Sequence, residues 1–195
     1  LEAFDRLIER QIQGGTDAIV VCGTTGEAAT LSYNERMALI ERCVRTVDRR
    51  VPVIAGSGTN STASSIALSK AAQSAGVDAL LTVTPYYNKA SQSGLVQHFS
   101  AIADAVDIPV ILYNVPSRTG VGCTVQTYQA LAKHPNIAGV KEASDNFDLI
   151  QDTLNLCPLG FTVWSGNDGS TAAIMVLGGK GVISVAANVV PREMH

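Results

Sequence analysis

The sequence predicts an α/β fold, a (β/α)8 TIM barrel present in part, and three observations carry that prediction. Short apolar runs recur at residues 18–22, 51–55, 79–83, 110–113, 137–140, 161–164 and 182–185, with longer segments of helical periodicity between them. These runs are rich in β-branched residues and do not alternate with polar ones, as expected of parallel strands covered on both faces. Their spacing of roughly twenty to thirty residues matches one strand plus one crossover helix. Polar, reactive residues follow nearly every run, and element lengths vary little, which favours a barrel over an open doubly wound sheet with its single switch point.

Taken in order, the chain opens on an amphipathic stretch, Leu1-Glu2-Ala3-Phe4-Asp5-Arg6-Leu7-Ile8, and Gly14-Gly15 end that helix before the first run. Ser32-Tyr33-Asn34-Glu35 has the form of a capping box, and Leu39, Ile40, Cys43, Val44 and Val47 then make one apolar stripe. Gly76 and Gly178-Gly179 punctuate later helix-to-strand junctions, and Thr124 precedes a helix carrying Tyr128 and Leu131. No linker or low-complexity segment divides residues 1–195, which read as one barrel domain. Seven strands do not close a barrel of eight. They are what remains if the first strand and the last helices are cut away, and the missing initiator Met agrees with a truncated sequence. Such a piece is expected to expose strand edges and to be unstable or aggregation-prone alone.

Of the 195 residues, 46% are hydrophobic and 16% charged, within the range of a soluble domain with a sizeable core. A net charge of −3 leaves no basic excess to neutralise a phosphate backbone, which argues against nucleic acid as a partner. Cys22, Cys43, Cys123 and Cys157 lie far apart and the three histidines are dispersed, so neither a metal site nor a disulfide frame is indicated. A reducing cytoplasm fits this cysteine usage best. No apolar stretch is long enough to span a membrane, and no signal-peptide pattern is present.

Lys141 is the residue that points to chemistry. It closes the apolar run Ile137-Ala138-Gly139-Val140, so an amine is delivered where a buried strand meets its loop. Shelter from water disfavours the ammonium form and frees a nucleophilic lone pair, with which a carbonyl substrate can be captured as a Schiff base. The alternative for a lone lysine is that it snorkels to water from a strand end. Gly23-Thr24-Thr25-Gly26-Glu27 offers hydroxyls beside successive amides and suits an anion, or is an ordinary strand-to-helix turn. Tyr86 and Tyr87 follow the third run and Tyr113 ends the fourth. Phenols aligned with a threonine hydroxyl can pass protons, although a strand-end tyrosine is commonly a half-buried core residue. Arg118, between Pro116 and Gly120, has the fork geometry that recognises carboxylates. Glu142, Asp145 and Asp168 follow strands, where acids commonly start helices, and no chemistry is assigned to them.

Together, Gly23-Thr24-Thr25-Gly26-Glu27, Thr84-Pro85-Tyr86-Tyr87, the segment from Tyr113 to Gly120, Gly139-Val140-Lys141-Glu142-Ala143 and Ser165-Gly166-Asn167-Asp168 resemble the dihydrodipicolinate synthase family. The motifs keep their order through nearly the whole chain. The resemblance implies a (β/α)8 barrel with a helical C-terminal extension, acting as a lyase of the class I aldolase kind. It implies that Lys141 forms an imine with pyruvate and that the resulting enamine attacks L-aspartate 4-semialdehyde. The resemblance gives Thr25, Tyr113 and Tyr87 the proton relay, Tyr87 reaching into a neighbouring subunit, so that a homo-oligomer, a dimer of dimers, is required. It gives Thr24 and Thr25 the pyruvate carboxylate and Arg118 the carboxylate of the semialdehyde, and Gly166 and Ile183 line the Schiff-base pocket. No metal or organic cofactor is implied. N-acetylneuraminate lyase and sugar-acid aldolases share the lysine and the tyrosine; Arg118 favours a short second substrate bearing a carboxylate. At the family's regulatory cleft this chain has Tyr33, Arg36 and Ser64 where lysine-inhibited members use histidines and a glutamate, although Asn60 and Tyr86 agree, so weak or absent feedback by lysine is expected.

Overall fold

The computed structural model describes residues 1–195, and its elements alternate as the apolar runs predict. In chain order they are α1 (Glu2–Gln13), β1 (Ile19–Val21), α2 (Tyr33–Val47), β2 (Val53–Gly56), α3 (Thr62–Ser74), β3 (Ala79–Val83), α4 (Gln92–Ala103), β4 (Val110–Asn114), α5 (Pro116–Thr119), α6 (Val125–Leu131), β5 (Ile137–Glu142), α7 (Phe147–Leu156), β6 (Thr162–Ser165), α8 (Thr171–Leu177) and α9 (Pro191–Met194). All six strands are parallel, and their order in the sheet is their order in the chain. Sequential parallel order with a helix after each strand is the barrel pattern, here as an open half-barrel in which β1 and β6 are not paired.

The seventh predicted strand, residues 182–185, is reduced to a single parallel bridge between Val182 and Ser165. Val182 has β6 on one side and no strand on the other, and the chain leaves the sheet at the tight turn Ala186–Asn188, so no ladder develops.

Local chemistry fixes the helix starts. Ser32 caps α2, its hydroxyl accepting from the Glu35 amide while the Glu35 carboxylate accepts from the Ser32 amide, an arrangement worth about 1 kcal/mol. Ser61, Ser91, Thr124 and Asn146 cap α3, α4, α6 and α7 without the reciprocal bond, each side chain accepting from the amide three residues on. α1 is tied to α2 by the ion pair of Asp5 with Arg42, and to the turn after α2 by that of Glu9 with Arg50.

Alternation along the strands divides the core in two. Outward-pointing residues such as Val21, Val53, Leu80, Leu112, Val140 and Val163 join the helices in a cluster of 27 buried residues. The inward-pointing Ile54, Leu81, Ile111 and Tyr113, with Val115 and Ala143, form a cluster of only 6. At about 1.5–3 kcal/mol per fully buried aliphatic side chain, the outer layer dominates stability.

β5 breaks this alternation once. Ile137 pairs with Val110 and Gly139 with Ile111, so Ala138 is an extra residue in the ladder. Gly139 (φ 153) is obligatory there, because a Cβ would lie 1.9 Å from the Thr162 carbonyl oxygen. Beyond the irregularity the register runs on through Val140↔Leu112, Lys141↔Tyr113 and Glu142↔Asn114.

Candidate active site

β4 and β5 end side by side, and their last two residue pairs face opposite ways. Tyr113 and Lys141 point into the barrel, while Asn114 and Glu142 point out toward α6. The Lys141 Nζ lies 4.4 Å from the centroid of the Tyr113 ring, over its face. Lys141 is only 8% exposed and makes neither a hydrogen bond nor an ion pair through its amine. Burial pushes its pKa from 10.5 down to about 8, with the Asp168 carboxylate opposing in part. About a tenth of the amine is then neutral at pH 7, against fewer than about one in a thousand for an ordinary lysine. Burial also pushes the Tyr113 phenol up, with Arg118 and the Thr24 hydroxyl pulling the other way.

A cavity of about 530 Å³ opens in front of Lys141, and six of the sequence-predicted residues line it: Thr24, Thr25, Tyr113, Arg118, Lys141 and Gly166. Thr24 and Thr25 stand in a 3-10 turn, Thr24–Gly26, that follows β1. Arg118 projects from α5, a single turn started by Pro116, rather than from an irregular loop. Gly166 is required by proximity: a Cβ there would come within 2.6 Å of the Ala143 Cβ and 3.2 Å of the Lys141 Cε.

Two sequence-predicted residues lie elsewhere. Ile183 lines a second cavity of about 720 Å³, deeper in the half-barrel, with Ile54, Ile111 and Trp164. Tyr87 is 88% exposed in left-handed backbone (φ 71), and its amide donates to the Thr119 carbonyl. It does not line its own chain's cavity, and no hydrogen bond joins Thr25 to Tyr113 within the chain.

Sequence reasoning passed over three acids. Glu142 is not a helix starter: it is the last residue of β5, 1% exposed, and accepts from the Tyr128 hydroxyl (2.6 Å), the Asn114 amide (2.9 and 3.0 Å) and the Ser144 N–H (2.9 Å). Burial pushes its pKa up, and those hydrogen bonds oppose the shift. The overlooked signal was positional, because Asn114 and Glu142 occupy equivalent outward places at the ends of neighbouring strands. Asp168 begins a 3-10 turn and accepts from the amides of Val185 and Ala186 through Oδ2. Burial pushes Asp168 up, but the Ser184 hydroxyl, those amides and Lys141 together hold it below the ordinary carboxylate value. Asp145 (φ 55) accepts from the Asn167 amide and the Ser170 hydroxyl, bracing two loops at the cavity rim.

No group of histidine, cysteine, aspartate and glutamate side chains is arranged to hold a metal ion, and no helix is long and apolar enough to cross a membrane. A parallel half-barrel with a sheltered, weakly basic lysine at the carboxyl ends of its strands defines a β/α-barrel protein whose cavity is centred on an amine. The chain belongs to the dihydrodipicolinate synthetase family, whose description matches it over residues 1–195. It is 53% identical over 192 residues to the 4-hydroxy-tetrahydrodipicolinate synthase of Syntrophus aciditrophicus, covering 98% of this chain and 66% of that protein. To the enzyme of the same description from Acetivibrio thermocellus it is 50% identical over 194 residues, covering 100% of this chain and 66% of the relative. Among solved structures it superposes with a TM-score of 0.97 on the chloride-inhibited dihydrodipicolinate synthase of Acinetobacter baumannii complexed with pyruvate. The two are 46% identical over 99% of this chain and 66% of the other. The chain thus spans about 66% of the length of these relatives.

Proposed function

We propose that this chain carries the active site of a 4-hydroxy-tetrahydrodipicolinate synthase, which condenses pyruvate with L-aspartate 4-semialdehyde on the diaminopimelate route to lysine. The observation that carries the reading is the Lys141 amine, buried against Tyr113 with a pKa near 8, in a cavity that also holds two threonines and one arginine. Support comes from relatives of that description and from the A. baumannii enzyme, which was solved with pyruvate.

In this reading the neutral Lys141 Nζ attacks the pyruvate carbonyl carbon, the carbonyl oxygen leaves as water, and the iminium remains. Thr24 and Thr25 hold the pyruvate carboxylate. A methyl proton is lost to give the enamine, whose carbon attacks the aldehyde of the semialdehyde while Arg118 binds that substrate's carboxylate. The substrate's amino group then adds to the imine carbon, closes the ring and expels the Lys141 amine. Tyr113 and Thr25 pass protons with Tyr87, which reaches the site from a neighbouring subunit; the 88% exposure of Tyr87, away from its own cavity, supports that role. The working form is a homo-oligomer, a dimer of dimers, in the cytoplasm, and the reaction uses small-molecule substrates without metal, cofactor, nucleic acid or membrane. Gly166 bounds the imine by leaving room beside the Lys141 Cε, whereas Ile183 lies in the second cavity and takes no part in holding it.

Free lysine is a weak inhibitor or none in this reading. Arg36 donates to the Ala28 carbonyl, and Ser64 supplies no carboxylate for an ammonium group. A second reading, an N-acetylneuraminate lyase or sugar-acid aldolase whose aldehyde would be a sugar such as N-acetylmannosamine, shares Lys141 and Tyr113, but Arg118 favours a small carboxylate-bearing aldehyde. Borohydride reduction of the intact protein with pyruvate tests the first step: a mass increase on Lys141 is expected, and its absence overturns the reading. Parallel assays of the two aldehydes test the second, and turnover of N-acetylmannosamine alone would reverse the assignment.

A further inference from the structure

We infer that Glu142 is a positioning residue for the second substrate: through Asn114 it fastens the segment 115–123 that carries Arg118, one residue along the strand from Lys141. This rests on the proposed roles of Lys141 and Arg118. The geometry forms one chain of contacts. The Glu142 carboxylate receives both the Tyr128 hydroxyl and the Asn114 side-chain N–H, and the Asn114 Oδ1 receives the Cys123 amide at 3.1 Å. Asn114 has no freedom to flip, because a backbone N–H can only donate to it and an ionised carboxylate can only accept from it. Every group touching Glu142, including the Ser144 N–H, is a donor, so the site is built for the carboxylate form.

The segment so held begins at Val115 and ends at Cys123. Its middle is tied by Thr119, whose hydroxyl reaches the Val115 and Val121 carbonyls and meets the Thr84 hydroxyl at 3.3 Å. Arg118 lies next to Thr119 and is exposed; its backbone N–H donates to the Val115 carbonyl at 2.9 Å, while its guanidinium has no ion pair or hydrogen bond to set its place. The position of its guanidinium is therefore inherited from the backbone, and the far end of that backbone is anchored on Asn114 and Glu142. The Glu142 carbonyl oxygen also accepts from the Gly166 amide at 2.7 Å, which joins the same residue to the wall beside Lys141. Glu142 does not act on the Lys141 amine as a charge; burial and Asp168 account for the shift there.

Glu142→Gln in the intact protein tests this, since it keeps the shape but sets an N–H₂ among donors. Only Tyr128 can turn its hydroxyl to accept. The expected result is a split: KM for the semialdehyde rises about tenfold, while the rate of pyruvate capture at Lys141 stays within about twofold. Amide hydrogen exchange in residues 115–123 should rise about tenfold, with α2 unchanged. Tyr128→Phe, which leaves the Asn114 link in place, should keep the wild-type KM. Unchanged exchange in 115–123 overturns the inference whatever the activity, and so does an equal fall in pyruvate capture and aldehyde use. If wild-type protein captures no pyruvate, the proposed function fails, while the exchange measurement still decides whether Glu142 holds the segment. Should Glu142→Gln not fold, Asn114→Ala carries the same expectations.

Discussion

Lys141 and Glu142 are consecutive residues of one strand, both charged in ordinary water and both buried, yet their surroundings are opposites. The inward site leaves its amine without a hydrogen-bond partner, beside an aromatic face and an open cavity. The outward site surrounds its carboxylate with donors from α6, β4 and the following loop. A buried polar group without partners carries a free-energy penalty, and hydrogen bonds to a surrounded one offset part of it. The difference separates a group kept reactive from one kept still, and it makes opposite predictions for stability.

The largest expected effect is on the inward residue. Lys141→Met should abolish the borohydride-trapped pyruvate adduct entirely, and at pH 7 it should stabilise the fold by about 1–3 kcal/mol in urea denaturation, because it removes a penalised amine. A loss of stability would break the comparison. On the outward side, Glu142→Leu leaves the Tyr128 hydroxyl, the Asn114 amide and the Ser144 N–H without an acceptor, and should cost about 3–5 kcal/mol in the same measurement. An unchanged midpoint would mean that the network contributes nothing.

The pH dependence sharpens the same contrast. With the Lys141 pKa lowered from 10.5 to about 8, the unfolded chain holds more protons between those values, so wild-type stability gains a rising contribution as pH climbs through that window and none below it. The gain amounts to about 3 kcal/mol at most, and the difference between wild type and Lys141→Met, followed from pH 7 to 10.5, should shrink accordingly. Gly166→Ala introduces a methyl against the Ala143 Cβ and the Lys141 Cε, and should slow pyruvate capture about tenfold in a stopped assay. The smallest effect is that of free lysine on the intact protein's turnover, expected to fall within about twofold at concentrations near those of the substrates.

Most of the scaffold was legible because parallel strands covered on both faces must be apolar throughout, and six of the seven runs became strands. The run 182–185 has the same composition, but strand formation also needs partners, which composition does not report. Lys141 and Tyr113 stand at strand ends and Thr24, Thr25 and Arg118 follow strands, and a barrel gathers strand ends; Gly166 was readable only through the resemblance to the family. Glu142 escaped because the apolar run stops at Val140 and the next two residues look like loop; only continued alternation, one in and one out, distinguishes them. The helical turn at Arg118 escaped because a single turn has no periodicity to detect, although Pro116 marks its first position.

The surplus residue in β5 gives the reactive amine its address. Counting inside and outside straight up from Ile137 would turn Lys141 toward the helices and Glu142 toward the lumen; the skipped Ala138 reverses that parity. The lysine is therefore indexed from the upper end of the strand, against Leu112 and Tyr113, and not from its base. Shortening the chain by Ala138 should merely straighten the ladder, whereas removing Val140, two positions later, would exchange the two charged neighbours across the wall.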